Sequence, residues 1–260
     1  MLINGRAIAD EMIQSLSRRC RSGTSLRLVA ILIGDDKASR SFLKQKEKVA
    51  MILGIPFELK CFAADITTAA LRDVVLEIGH DSSVGGLIVQ LPLPASIDTQ
   101  TILNTIPSNK DVDSLTLASK VPPCAVLATQ EIFSQQGIIA PQDQSIVIIG
   151  SGVLVGRPIA HWLSSLGGRV TVIGRNVTRE ERMKQVHDAD IIICGANVSG
   201  LVDGSMIRPH TLVIDFGYPP NVDAASIDAA GGIVTPTPGG TGPIVVAALF
   251  QNFVTLQNLN

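Results

Sequence analysis

Apolar positions in this chain come in short, nearly continuous runs, each ending in glycine or a turn signal. The runs are "LRLVAILIG", "VGGLIVQLPLP", "QSIVIIGSG", "GRVTVIGRN", "ADIIICGAN", "HTLVIDFGYP" and "GGIVTPTPGG". They are strand length, rich in Val and Ile, and do not alternate with polar residues. That is the pattern of strands buried on both faces of a parallel sheet. Between them the spacing predicts helices over about 5–20, 38–53, 67–79, 128–136, 155–166 and 179–187, with a final helix in "IVVAALFQNFV". Strand and helix alternate, which predicts a doubly wound α/β protein. A seam falls at "SKVPPCAVLATQEIF", where a proline pair precedes a new helix. The expected organisation is a catalytic domain of residues 1–120 and 243–260, and a Rossmann-type dinucleotide-binding domain of residues 121–242.

One predicted helix breaks its own pattern. In "ASRSFLKQKEKVAMILG", helical spacing puts Ala38, Phe42, Val49, Ala50 and Leu53 on an apolar stripe, with Lys44 and Lys48 opposite. Lys46 falls near the centre of the stripe. Two readings stand: a lysine that snorkels to water along its stem, or one placed on the wall of a pocket for chemistry.

Composition narrows the function. With 46% hydrophobic and 17% charged residues, the chain has the makings of a substantial core. A net charge of -2 and 3% aromatic content give neither a basic footprint nor a stacking platform for nucleic acid. No apolar run reaches membrane-span length, and "MLINGRAIADEM" does not read as a signal peptide. Cys20, Cys61, Cys124 and Cys194 form no CxxC pair, so reduced, mostly buried thiols in a cytoplasmic protein are expected. His80, His161, His187 and His210 have no metal-ligand spacing, so no metal is expected.

The clearest motif is "QSIVIIGSGVLVGRPIAHWLSSLGGRVTVIGRN". A strand enters Gly150-Ser151-Gly152, a helix leaves, and a second strand follows. Gly150 permits the tight turn, and Gly152 lets backbone N–H groups approach a pyrophosphate at a helix N-terminus. Gly156 lies one residue later than in the simplest GxGxxG spacing. The strand–turn–helix–strand context supports a dinucleotide site over a bare turn. An NAD site wants a carboxylate at the end of the second strand. This chain offers Arg175 there, which favours NADP over NAD unless Arg175 is merely a solvated loop residue.

Together these stretches resemble the methylenetetrahydrofolate dehydrogenase/cyclohydrolase family of one-carbon metabolism. "INGRAIA" resembles its opening helix, and "AILIGDDKASRSFLKQKEKVAMILGI" the segment carrying its catalytic tyrosine and lysine. "GGLIVQLPLP" is close to a signature, and "PSNKDVDS" resembles KDVDG. "GSGVLVGRP" resembles GRSxxVGxP, and "TPTPGGTGP" resembles PxPGGVGP. The motifs occur in family order from about residue 3 to the final helix. The resemblance implies a two-domain homodimer that binds a folate as small-molecule substrate and NADP as cofactor. It implies hydride removal from the bridging methylene of methylenetetrahydrofolate, then hydrolysis of the methenyl cation to formyltetrahydrofolate. By position it implies Lys46 as the catalytic lysine, Gln90 as its hydrogen-bonding neighbour, and Asp113, or else Asp111, as the reader of the pterin edge. Gly239 and Gly240 fall beside the substrate, and Gly150, Ser151, Gly152, Val155, Gly156 and Tyr218 at cofactor positions.

The departures cluster at these sites. The family tyrosine is Phe42, KDVDG ends in Ser114, and the segment up to "PCAV" is shorter than in the family. Met-Thr after the PGG motif is Ile244-Val245, and the cofactor loop's Arg-Ser is Ser151-Gly152. They raise the expectation of weak or lost cyclohydrolase activity. Two other readings are a paralogue reducing a non-folate imine or iminium, and a non-catalytic NADP-binding protein.

Overall fold

The computed structural model describes residues 1–20, 25–116, 118–174 and 176–258. It is an α/β protein that divides into two compact units. One comprises residues 10–124 and 246–260, the other residues 1–9 and 125–245.

The first unit is built on a parallel sheet of β1 (Arg27–Ile33), β2 (Phe57–Phe62) and β3 (Val84–Val89), in the order β2-β1-β3. Helices α1 (Gly5–Arg19), α2 (Lys37–Leu53), α3 (Thr68–His80) and α4 (Thr99–Leu103) connect and flank these strands. Strands β1 and β3 are buried almost throughout, which is why they read as continuous apolar runs. Strand β2 lies at the edge. Its sequence FELKCF leaves every residue at least partly exposed. It pairs in register with β1, Leu28 opposite Phe57 and Ile33 opposite Phe62. Val29, Ile31, Leu71, Val75, Leu87 and Ile102 form the centre of this unit's core.

The second unit holds β4 (Ser145–Ile149), β5 (Arg169–Ile173), β6 (Ile191–Cys194), β7 (Leu212–Asp215) and β8 (Ile233–Val234), all parallel, in the order β5-β4-β6-β7-β8. Helices α5 (Cys124–Gln135), α6 (Gly156–Ser165), α7 (Arg179–Val186) and α8 (Ala224–Ala229) join them, and α9 (Thr241–Asn258) closes the chain. In a doubly wound sheet of this order, the strand sequence reverses at β4. Ligands are then expected beyond the carboxyl ends of β4 and β6.

The first nine residues belong to this second unit, whereas the sequence seam groups them with the first. Ile3 donates its backbone N–H to the Val234 carbonyl at 2.9 Å, which ties the N-terminal segment to β8. All four cysteines are free. Cys124 and Cys194 are buried, Cys20 is partly covered, and Cys61 is exposed on the edge strand β2. Among the described residues, no helix is long and apolar enough to cross a membrane.

Candidate active site

Helix α2 starts on a capping bond, with the Asp36 carboxylate accepting from the Ser39 N–H at 2.7 Å. It ends on Gly54 in the left-handed region, at φ 68°. Its buried face is Ser39, Leu43, Lys46, Ala50 and Leu53. The stripe is therefore turned by about one position from the periodicity reading. Leu43 takes the core place, Phe42 and Val49 are half-buried, and Ala38 is exposed. Lys46 remains at its centre and is only 3% exposed.

The ammonium of Lys46 does not snorkel to water. It donates to Gln90 Oε1 at 3.3 Å and stands 3.9 Å from Asp113 Oδ2. It also lies 5.1 Å from the centroid of the Phe42 ring, within cation–π range. Gln90 is the first residue beyond β3, and its backbone N–H still pairs with Ile31 at 2.9 Å. Its Nε2 donates to the Leu91 carbonyl at 2.8 Å, which leaves Oε1 facing the lysine.

The segment carrying Asp111 and Asp113 runs beside β3 through a bridge between Asp111 and Leu87. Asp111 is fully buried and accepts from the N–H groups of Leu115 at 3.1 Å and Thr116 at 2.8 Å. Burial raises its pKa, and those two bonds oppose the rise. Both its oxygens are occupied in shaping the turn, so Asp113 is the carboxylate that faces Lys46. Ser114 sits in the left-handed region at φ 57°, a glycine conformation. Its hydroxyl donates to the Val121 carbonyl at 2.7 Å, across the short segment that follows.

The sequence motifs do not reveal two further contributors. Cys124 Sγ lies 3.8 Å from Asp113 Oδ1 and 3.5 Å from the Val112 carbonyl. Burial, reinforced by the Asp113 charge, pushes the thiol well above its ordinary pKa and keeps it a neutral donor. Asn252, on α9, is 1% exposed and donates to the Val112 and Pro122 carbonyls, each at 2.9 Å. The "PC" of "PCAV" hints at the first. Nothing local distinguishes Asn252.

In the second unit, Gly150 follows β4 at φ 101°, and its N–H donates to Ile173 at 2.9 Å. A side chain on Gly156 would lie 1.8 Å from the Gly150 carbonyl oxygen, so only glycine lets α6 start so close to the turn. Gly152 differs: a Cβ there would meet nothing closer than 3.9 Å. Ser151 and Gly152 are exposed, and Val155 packs against Gly195 after β6. Helix α6 begins without a side-chain cap; its Arg157 N–H donates to the Gly152 carbonyl at 3.0 Å and Pro158 carries none, which leaves the Gly156 N–H as the first-turn donor for an anion. This open, uncapped turn at the sheet's reversal point fits a dinucleotide pyrophosphate.

Tyr218 is 71% exposed on the loop after β7. Asp215, fully buried at the end of β7, holds that loop by accepting from Gly217 N–H at 2.7 Å and Asn221 N–H at 2.9 Å. Desolvation pushes the Asp215 carboxyl up to about 6 against these bonds. Gly239, at φ 96°, is half-buried, and Gly240 is buried where a side chain would run into the Pro236 carbonyl. Ile244, at the start of α9, is fully buried. Arg175 lies outside the described residues. Among the described residues, no group of three His, Cys, Asp or Glu side chains is placed to hold a metal ion.

Residues 3–113 match the family model of the tetrahydrofolate dehydrogenase/cyclohydrolase catalytic domain, and residues 123–260 match that family's NAD(P)-binding domain. The chain belongs to the tetrahydrofolate dehydrogenase/cyclohydrolase family. It is 32% identical over 271 residues to the bifunctional protein FolD of Heliobacterium modesticaldum, covering 96% of this chain and 93% of that one. It superimposes with a TM-score of 0.90 on the bifunctional FolD of Campylobacter jejuni, at 29% identity over 100% of this chain and 99% of that one. The FolD of Trypanosoma brucei, solved with NADP cofactor and an inhibitor, gives 0.91 at 27% identity, over 100% and 97%. In this chain Lys46, Gln90 and Asp113 are brought together, beside the Phe42 ring.

Proposed function

We propose that this protein is an NADP-linked methylenetetrahydrofolate dehydrogenase of one-carbon metabolism whose cyclohydrolase activity is weak or lost. The observation that carries it is the surroundings of Lys46: Gln90 at 3.3 Å, Asp113 at 3.9 Å, and a Phe42 ring without a hydroxyl.

The two half-reactions make different demands. Dehydrogenation moves a hydride, with its electron pair, off the bridging methylene and leaves a delocalised methenyl cation. NADP, when bound, supplies the hydride acceptor. The chain's own residues have no proton to move in that step. Their task is positioning, which suits an Asp113 fixed by its turn and a Lys46 fixed by Gln90. Cyclohydrolysis adds water to the cation, so a proton must leave that water through a placed group. A phenyl ring at position 42 neither accepts nor relays a proton, and the hydrogen-bond chain ends at Lys46.

The backbone of Gly150-Ser151-Gly152 and the first turn of α6 would hold the pyrophosphate. The choice of NADP over NAD rests on the absence of a carboxylate after β5 and on the NADP bound to the Trypanosoma relative. We extend the reading to a homodimer in the cytoplasm on the family resemblance alone, with sedimentation velocity and fractionation as its checks.

The test supplies methylenetetrahydrofolate with NADP or NAD and follows methenyl and formyl products separately. Methenyl should accumulate, with NADP preferred. Hydrolysis of methenyl as fast as it forms overturns the cyclohydrolase claim. Folded protein with no turnover overturns the whole assignment. A second reading, reduction of a non-folate cyclic imine by NADPH, draws on Phe42 and on the Ser114-strapped segment. It gains only if tetrahydrofolate fails to bind.

A further inference from the structure

The segment from Asp113 to Val121, within the first unit, is flanked by Val112 and Pro122. Among the described residues, no backbone hydrogen bond joins those two. A side chain joins them instead. Asn252 uses its two Nδ2 protons on the two carbonyls, each at 2.9 Å, and lies 3.7 Å from Cys124 Sγ. Both ends of the segment are therefore held by one buried carboxamide from a helix distant in sequence. Val112 is fully buried, so without Asn252 its carbonyl would keep only the weak Cys124 thiol donor at 3.5 Å and no water. Asp113 follows directly, and its carboxylate is 3.9 Å from Lys46. The Ser114–Val121 bond closes the same segment one step further out.

We propose that Asn252 is a positioning residue of the active site: its carboxamide closes the neck of the 113–121 segment and so holds Asp113 against Lys46. The substrate named in the test rests on the dehydrogenase reading, but the positioning claim does not. A misplacement of ~1 Å at a reacting group costs about a hundredfold in rate. The neck is where such a displacement would begin.

Two variants test it. Asn252→Leu keeps the branched outline, though with more bulk, and removes both donors. Asn252→Asp keeps the shape, lacks a donor when ionised and regains one when protonated. Both are checked for folding by circular dichroism and for NADP affinity, which should stay within about twofold of wild type because the dinucleotide residues belong to the other unit. The expected result is a fall of about tenfold to a hundredfold in kcat/KM for methylenetetrahydrofolate in both. In Asn252→Asp, the deficit relative to wild type should shrink as pH falls from 8 to 5, which a mere packing defect would not produce. Activity within about twofold of wild type in a folded variant, at every pH, overturns the proposal. If Asn252→Leu does not fold, the pH series of Asn252→Asp decides. If the wild type does not turn over the folate, the function assignment fails separately. The crystal structure of either variant then decides: an unchanged Asp113–Lys46 spacing overturns the positioning role, and a widened one supports it.

Discussion

Phe42 and Lys46 sit one helical turn apart, with the ammonium 5.1 Å from the centroid of a ring that carries no hydroxyl. Returning the hydroxyl by Phe42→Tyr should raise the ratio of cyclohydrolase to dehydrogenase activity by at least about tenfold, since placed proton-transfer groups contribute roughly a hundredfold or more. A coupled assay of methenyl consumption reads this directly, and an unchanged ratio counts against the role given to the missing hydroxyl. Lys46→Met should abolish what cyclohydrolase activity there is. The oddness of Lys46 is visible in the sequence because helical periodicity is local. Its burial removes the snorkelling reading, and no sequence pattern reports burial of one side chain. Asn252 stays hidden because its partners lie elsewhere in the chain, with Val112 reached over 140 residues.

Asp215 carries a pH consequence at the same scale. Its carboxyl is raised from the ordinary 3.8 to about 6, with burial as the cause. The folded state therefore holds this proton more tightly than the unfolded chain. The group's contribution to stability is fully present below about pH 4 and is lost as pH rises through about 6, amounting to ~3 kcal/mol at most. Urea denaturation at several pH values between 4 and 7.5 should show that slope in the wild type and its absence in Asp215→Asn. Equal slopes in the two proteins would falsify the assignment.

At the scale of elements, the glycines around β4 and α6 separate fold from binding. Gly156→Ala puts a methyl 1.8 Å from the Gly150 carbonyl oxygen, so it should lower thermal stability and weaken NADP binding together. Gly152→Ala meets nothing within 3.9 Å and should leave stability unchanged while raising the Kd for NADP about tenfold or more. Scanning calorimetry and fluorescence titration of both variants check the contrast. The continuous apolar strands and their helices are legible because burial on both faces removes polar residues from the sequence. Strand β2 is not, because an edge strand carries Glu58 and Lys60 among its apolar residues. Helices α4 and α8 are too short for periodicity to register. The α2 stripe lies about one position from where periodicity puts it because Leu43 and Phe42 are both apolar neighbours, and only packing chooses between them.

For the whole molecule, alternation of strand and helix suffices to give the α/β class, and the motifs in order give the family. The division into units is less legible, because the first nine residues join the second unit through β8, a pairing no local pattern announces. Each unit has its own core, with Leu71 and Ile102 in one and Ile192 and Val213 in the other. NADP at about a hundredfold above its Kd should add ~2.7 kcal/mol to the stability of the state that binds it. Differential scanning calorimetry with and without NADP should show the gain. An NADP-insensitive melting profile with a correctly folded Gly150 turn would remove the cofactor from the assignment.

Ser114 bears on the history of the site. A serine held at φ 57° costs roughly 1 kcal/mol against glycine. Its bond to Val121 returns a similar amount, and only while the segment is short enough for the hydroxyl to reach. The residue and the segment length are thus mutually contingent. A chain with this segment lengthened would carry the strain without the bond, so replacement of Ser114 by glycine would have to come first or together with the insertion. The order of past and future changes here is constrained, and laboratory grafting of a longer loop should succeed in the Ser114→Gly background sooner than in the natural one.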